Sequence, residues 1–314
     1  MDILFTFKIG EHQKKELIER FPNCTFHFQR TADCDEVKFA EVIVTYGGNI
    51  DKALLKRAKK LTWIMVASAG IEKMPLKEIE KQDLLVTNVR GIHKTPMAES
   101  VLAHILALKR SVAEIYEVQA TKDWKYKFNS TELRDSTALI LGPGAIGTEI
   151  GRLLQAFRVK TIGCNRSGRQ TDFMDENIQF DHLLSKLPEA DFIVSVLPST
   201  AETKGLLTEA HFDAMKDTAI FLNFGRGDLL EEEMLIRVLK EQKIQHAVLD
   251  VFQTEPLPEE SPFWTLPNCT VSPHVSSKSG KYIERSLEIF HYNLERFING
   301  EADLKNIVDV KKGY

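Results

Sequence analysis

The 314 residues read as an α/β chain built from two doubly wound parallel-sheet units. Three observations predict this. Short apolar runs alternate with helical periodicities along most of the length. The alternation breaks at a polar stretch and starts afresh at Ser136. A glycine-rich turn then joins the first strand of the second set directly to its helix. At about 150 residues per domain, the length accommodates two units.

In the first set, segment 3–9 predicts a strand and 11–21 a helix. Segment 41–46 reads as a strand entering Gly47-Gly48, 51–59 as a helix, and 61–67 as a strand running into Ser68-Ala69-Gly70. A further strand is expected at 84–88. Pro96 suits a first helical turn and opens a long helix to about Lys122, with Val101, Leu102, Ile105, Leu106 and Leu108 on its apolar side. The polar stretch 123–135 follows, carrying Trp124, Tyr126 and Phe128. The second set reads as strand 137–141, helix 145–157 and strand 159–163, with more strands at 191–196, 218–223, 244–250 and 270–272. Near the end, Ile283, Leu287, Phe290, Leu294 and Phe297 recur at steps of three and four, an amphipathic helix closed by Gly300.

Composition narrows the function. Hydrophobic residues make up 43% and charged residues 27%, ordinary for a globular protein with a real core. The 41 Lys+Arg against 45 Asp+Glu give a net charge of −4, the wrong balance for a general nucleic-acid binder. No apolar run approaches the length of a membrane span, and Asp2 with no basic n-region argues against a signal peptide. Cys24, Cys34, Cys164 and Cys269 are dispersed and form no CxxC pair, so reduced thiols in a cytoplasmic protein are expected and no metal site is.

Gly142-Pro143-Gly144-Ala145-Ile146-Gly147 follows the strand Ala138-Leu139-Ile140-Leu141 and begins a helix. Its glycines permit a tight turn and close backbone approach to a pyrophosphate, which the free N–H groups and dipole of the helix start can hold. The alternative is a purely structural strand-to-helix turn. About 20 residues on, an NAD-selective site carries an acid for the adenosine ribose. Here Asn165-Arg166-Ser167-Gly168-Arg169 stand in its place. A guanidinium grips a 2′-phosphate that a carboxylate would repel, so NADP(H) is preferred over NAD(H). A solvent-facing basic loop is the competing explanation.

Three later segments each put a polar residue just past a strand: Asn223-Phe224-Gly225-Arg226-Gly227, Asp250-Val251-Phe252-Gln253-Thr254-Glu255-Pro256, and Ser272-Pro273-His274. The carboxyl ends of parallel strands line the ligand crevice of such sheets. Reduction of a 2-keto acid needs a cation for the carboxylate and carbonyl oxygen, and an acid for the new alkoxide. Arg226 and His274 fit those roles, and Glu255 can bond the second ring nitrogen of His274, orienting it and favouring its protonated form. Singly, each has a structural explanation: a turn cap, a surface turn and a satisfied buried histidine.

Together with the glycine turn, these motifs and Leu249-Asp250-Val251-Phe252 through Glu255-Pro256-Leu257-Pro258 resemble the D-isomer-specific 2-hydroxyacid dehydrogenases. Ser68-Ala69-Gly70-Ile71-Glu72 matches that family's carboxylate-binding loop. The resemblance implies two Rossmann-like units, with a cofactor domain (95–283) inserted into a substrate domain (1–94 and 284–314). It implies that Arg226, Glu255 and His274 are catalytic, with Ala69, Gly70, Arg226 and His274 on the substrate. It implies a cofactor set of Gly142, Gly144, Ala145, Ile146, Gly147, Asn165, Arg166, Ser167, Leu197, Pro198, Phe224, Asp250 and His274. A homodimer with the helix after Pro96 embracing the partner is implied as well. Asn165-Arg166-Ser167 and Glu259-Glu260-Ser261-Pro262-Phe263-Trp264 look most like the NADPH-dependent glyoxylate/hydroxypyruvate reductases. A small 2-keto or 2-hydroxy acid is the expected partner, with a broader D-2-hydroxyacid dehydrogenase or a non-catalytic dinucleotide-sensing protein as the alternatives. Gly91-Ile92-His93-Lys94-Thr95-Pro96-Met97-Ala98-Glu99 follows the family pattern only loosely, and His93 reads either as an active-site residue or as a solvated loop histidine.

Overall fold

Alternating apolar residues that pack on opposite faces account for both sheets. The computed structural model describes residues 1–68, 70–71, 74–124 and 127–311, and the chain divides into two units, Met1–Ile92 with Gly280–Tyr314, and His93–Ser279. The divisions fall after Ile92 and Ser279, against expected boundaries after 94 and 283.

In the first unit, β1 (Asp2–Phe5), α1 (Glu11–Arg20), β2 (Thr25–Phe28), β3 (Val42–Thr45), α2 (Lys52–Arg57), β4 (Trp63–Val66), α3 (Leu76–Lys81) and β5 (Leu85–Asn88) build a five-stranded parallel sheet of order β2-β1-β3-β4-β5. Leu4, Ile43 and Ile64 point to one face, where Leu54, Leu55 and Ile79 cover them. Ile3, Phe5, Val42, Val44, Trp63 and Met65 point to the other, covered by Leu287, Phe290 and Leu294 of the C-terminal helix Tyr282–Ile298. That helix thereby returns the chain end to the first unit. A sheet buried on both faces needs near-continuous apolar strands, and β3 and β4 are buried throughout. Strand β2 is a partly exposed edge, which is why its pattern did not read as a strand.

The second unit contains α4 (Lys94–Lys109), α5 (Val112–Thr121), β6 (Thr137–Leu141), α6 (Ala145–Ala156), β7 (Lys160–Cys164), β8 (Glu176–Ile178), α7 (Leu183–Lys186), β9 (Phe192–Ser195), α8 (Glu209–Asp213), β10 (Ile220–Asn223), α9 (Glu232–Lys240), β11 (His246–Leu249) and β12 (Cys269–Val271). Its seven strands pair in parallel in the order β12-β11-β10-β9-β6-β7-β8. The order reverses between β6 and β9, the switch point where doubly wound sheets take ligands. The expected single helix to Lys122 is corrected to two. Ser111 takes a left-handed φ of +53° and ends the run, its buried hydroxyl accepting from Ser130 Oγ at 3.3 Å. Among the described residues no helix is long and apolar enough to cross a membrane.

Burial sets one pH dependence of this unit. His246 on β11 bonds Thr270 Oγ1 at 2.9 Å, and burial, helped by nearby His104, pushes its pKa down from 6.5 to about 4. Between about pH 4 and 6.5 the ring is neutral in the folded state and protonated in the unfolded chain. Stability is therefore fully present above pH 6.5 and falls as pH drops towards 4, by up to about 3 kcal/mol. Urea unfolding at pH 7 and pH 4.5 should show this loss, and His246→Gln should reduce it. An equal loss in the variant would assign the effect elsewhere.

Candidate active site

The cofactor residues expected on this sheet lie directly beyond its strand ends. Gly142 follows β6, Asn165 follows β7, Leu197 and Pro198 come just after Val196 beyond β9, Phe224 follows β10, Asp250 follows β11, and His274 comes after Ser272-Pro273 beyond β12. Gly142 has φ +94°, a conformation that L side chains avoid, and Gly144 starts α6 with no side chain capping it. The first-turn N–H groups of Ala145, Ile146 and Gly147 lack intrahelical carbonyl partners by the geometry of a helix start. A Cβ on Gly147 would stand 2.4 Å from the Gly142 carbonyl oxygen, so only glycine lets this helix sit against the turn. A Cβ on Gly144 would meet nothing within 4 Å. A close-packed turn under an open helix N-terminus fits a dinucleotide pyrophosphate.

After β7 the chain turns tightly. Asn165 Oδ1 accepts from Ser167 N at 3.1 Å and Ser167 Oγ at 3.2 Å, and Asn165 Nδ2 donates to the Arg169 carbonyl at 3.0 Å. Asn165 therefore holds the turn, and Arg166 projects from it, mostly exposed, 3.6 Å from Glu202. Leu197 is buried, Pro198 is exposed, and Phe224 is buried in the core. The Phe224 ring packs 5.8 Å from that of His104.

Arg226 is aimed by two glycines and an asparagine. Buried Asn223 accepts from Gly225 N at 3.1 Å and donates to the Arg226 carbonyl at 3.0 Å. A Cβ on Gly225 would meet Leu197 O at 2.6 Å, and one on Gly227 would meet the Phe252 carbonyl carbon at 2.0 Å. Larger residues would drive these backbones apart. The Arg226 guanidinium donates to the Gly225 carbonyl at 2.9 Å and lines a cavity of about 610 Å³ with Ser199, Lys204, Asp228 and Gln253.

Glu255 and His274 are brought into direct contact. His274 Nδ1 lies 2.7 Å from Glu255 Oε2, and Glu255 Oε1 accepts from Phe252 N at 3.1 Å. A carboxylate can only accept, so Nδ1 carries the proton, and Nε2 is the ring nitrogen that can meet a substrate. Both side chains line a cavity of about 490 Å³ with Leu257, Trp264, Val271 and Pro273. Phe252 lines this cavity and that of Arg226. In the first unit, Gly70 lies in the segment after β4, whereas Ala69 falls outside the described residues.

The family model for the D-isomer specific 2-hydroxyacid dehydrogenase NAD binding domain matches residues 102–276. The chain is also 30% identical over 275 residues to glyoxylate/hydroxypyruvate reductase B of Pectobacterium carotovorum, covering 86% of each. The chain belongs to the D-isomer-specific 2-hydroxyacid dehydrogenase family. Among solved structures, a D-isomer-specific 2-hydroxyacid dehydrogenase family protein from Aeromonas salmonicida superposes with TM-score 0.88 at 33% identity over 98% of this chain and 99% of that one. An acyclic imino acid reductase solved with NADPH and D-Arg shares the fold, with TM-score 0.82 at 21% identity over 98% of this chain and the whole of the other.

For a dehydrogenase of this family, the sequence left His93 open and missed Glu202. His93 is a buried residue before α4, not a solvated loop histidine; burial and the positive charge of Arg226 hold its pKa below the ordinary range. Its proximity to Arg226, 133 positions further along the chain, gave no local signal. Glu202, the partner of Arg166, lies 36 positions further along the chain, and only folding brings the two together.

Proposed function

We propose that the protein reduces small 2-keto acids of the glyoxylate/hydroxypyruvate type to D-2-hydroxy acids with NADPH. The observation that carries this reading is the 2.7 Å contact between Glu255 and His274, which provides an oriented acid at the mouth of a dinucleotide-type sheet. The reductase name of a relative aligned over 86% of the chain supports the substrate class. Arg226 would bind the substrate carboxylate and carbonyl oxygen, and His274 would give the alkoxide its proton. The nicotinamide, when bound, supplies the hydride for the carbonyl carbon. The N–H groups at the start of α6 would hold the pyrophosphate, making the second unit the cofactor domain and leaving the substrate domain to the first.

The NADPH preference rests on the turn after β7. Asn165 stands where an NAD-selective site would carry its ribose-binding acid, and Arg166 is the adjacent cation. The ion pair with Glu202 is exposed, and such pairs are worth little, so a 2′-phosphate would displace it readily. A charge-assisted bond to the phosphate is worth about 1.5–3 kcal/mol, roughly ten- to a hundredfold in preference. Arg166→Ala should weaken NADPH by that factor while leaving NADH nearly unchanged. Measuring kcat/KM for both cofactors in wild type and variant checks this; a wild type that prefers NADH would reduce the basic turn to solvated surface.

The same reading includes a homodimer. Helix α5 buries none of its residues, while Ile115 and Tyr116 on it and Trp124 beyond it are exposed. Large apolar side chains exposed along one segment are what a partner would cover. Light scattering should give about twice the 35.7 kDa chain mass, and Ile115→Asp with Tyr116→Lys should give monomer. A monomeric wild type would contradict the assignment.

A further inference from the structure

The catalytic histidine expected from the sequence sits in a left-handed turn. His274 has φ +52°, left-handed for a residue that carries a Cβ, and its N–H donates to the Ser272 carbonyl at 3.0 Å. Few residues that carry a Cβ adopt it, histidine more readily than most, and a residue held there has its ring direction set by the hydrogen bonds of the flanking backbone. The surroundings converge on one buried carboxylate. Asp250, 1% exposed at the end of β11, accepts from Ser272 Oγ at 2.5 Å and Val275 N at 3.0 Å through Oδ1. Its Oδ2 accepts from Ser276 N at 3.2 Å and from Ser276 Oγ. Two hydroxyls and two amides, from both sides of His274, thus share one anion.

We propose that Asp250 is a positioning residue that fixes the backbone of 272–276 and thereby aims His274 at Glu255. A carboxylate offers about four acceptor sites, and these four donors fill them. That occupancy favours a role in shaping the loop over the direct cofactor contact that family resemblance implies. Charge-assisted bonds are about twice as strong as neutral ones, which suits an anion to holding a tight turn. The anchor is itself rigid, because Asp250 N donates to the Asn223 carbonyl at 3.0 Å, tying the end of β11 to that of β10. From α4, Ser100 Oγ donates to the Ser276 carbonyl at 3.3 Å and secures the far end of the loop.

The proposal rests on His274 being the proton donor, so its test has two arms. In the first, Ser272→Ala combined with Ser276→Ala should lower kcat about ten- to a hundredfold, the scale of a misplaced catalytic group. NADPH affinity, read by fluorescence titration, should stay within about twofold, and Ser272→Thr, which keeps the hydroxyl, should stay within about threefold of wild type in kcat. In the second, proton NMR should show a downfield His274 Nδ1–H resonance from the Glu255 bond, lost in the double variant and retained in Ser272→Thr. This resonance reads the loop even if wild type turned over no keto acid, an outcome that would overturn the proposed function alone. A double variant with wild-type kcat and an intact resonance would overturn the positioning role. So would a weakened NADPH affinity with unchanged kcat, which would make Asp250 a cofactor ligand. Asp250→Asn, if folded, should match the double variant.

Discussion

Replacing His274 with alanine is expected to lower 2-keto acid reduction by about 10²–10⁴-fold while leaving NADPH affinity within a few-fold. The magnitude follows from what the ring does. Its Nδ1 is committed to Glu255 at 2.7 Å, and Glu255 is fixed in turn by Phe252 N at 3.1 Å. The imidazole therefore has one orientation, and Nε2 is the atom that can protonate the alkoxide as it forms. Alanine removes that proton source but leaves the glycine turn and the start of α6, which would hold the dinucleotide. Glu255→Gln should cost less, because an amide can still accept from Nδ1 although it no longer stabilises the positive ring. Steady-state rates for both variants, with NADPH titrations alongside, check the order. A His274→Ala enzyme within about threefold of wild type would remove the histidine from the chemistry.

Arg226→Lys is the second large effect, expected to lower kcat/KM by about 10²–10³-fold with contributions from both kcat and KM. The guanidinium is a planar fork that can meet a carboxylate and the carbonyl oxygen together, and a lysine ammonium is a point charge. The surrounding backbone is fitted to this residue. Asn223 pins the turn from both sides, and the Gly225 carbonyl takes one guanidinium N–H at 2.9 Å. Loss of cofactor affinity alone, with kcat/KM for the keto acid unchanged at saturating NADPH, would move Arg226 to the dinucleotide site.

Much of this was legible in the sequence because the signals are local. The Gly142–Gly147 spacing reads directly as a turn in which the sixth position must lack a side chain, and the Gly142 carbonyl 2.4 Å from a Cβ on Gly147 is the physical reason. The strands of both sheets read well where they are fully buried, as β3 and β4 are, and poorly at the edges, where β2 and β8 mix polar and apolar residues. The break at Ser111 escaped because the helical periodicity runs through it, and the buried contact with Ser130 that accompanies it is 19 residues away. The pairing of Glu255 with His274 was inferable from chemistry. The hub at Asp250 was not, since its donors come from a loop 22 to 26 residues further on. The same limit applies to Arg166 and Glu202: residue types announce a charge, and only the fold says what faces it.

Product analysis with purified protein, hydroxypyruvate and NADPH tests the reductase reading directly. NADPH should be consumed one-for-one with formation of D-glycerate, and NADH should support a kcat/KM lower by roughly ten- to a hundredfold. A protein that binds NADPH but leaves hydroxypyruvate, glyoxylate and larger 2-keto acids unreduced would contradict it, and would make the site a dinucleotide sensor.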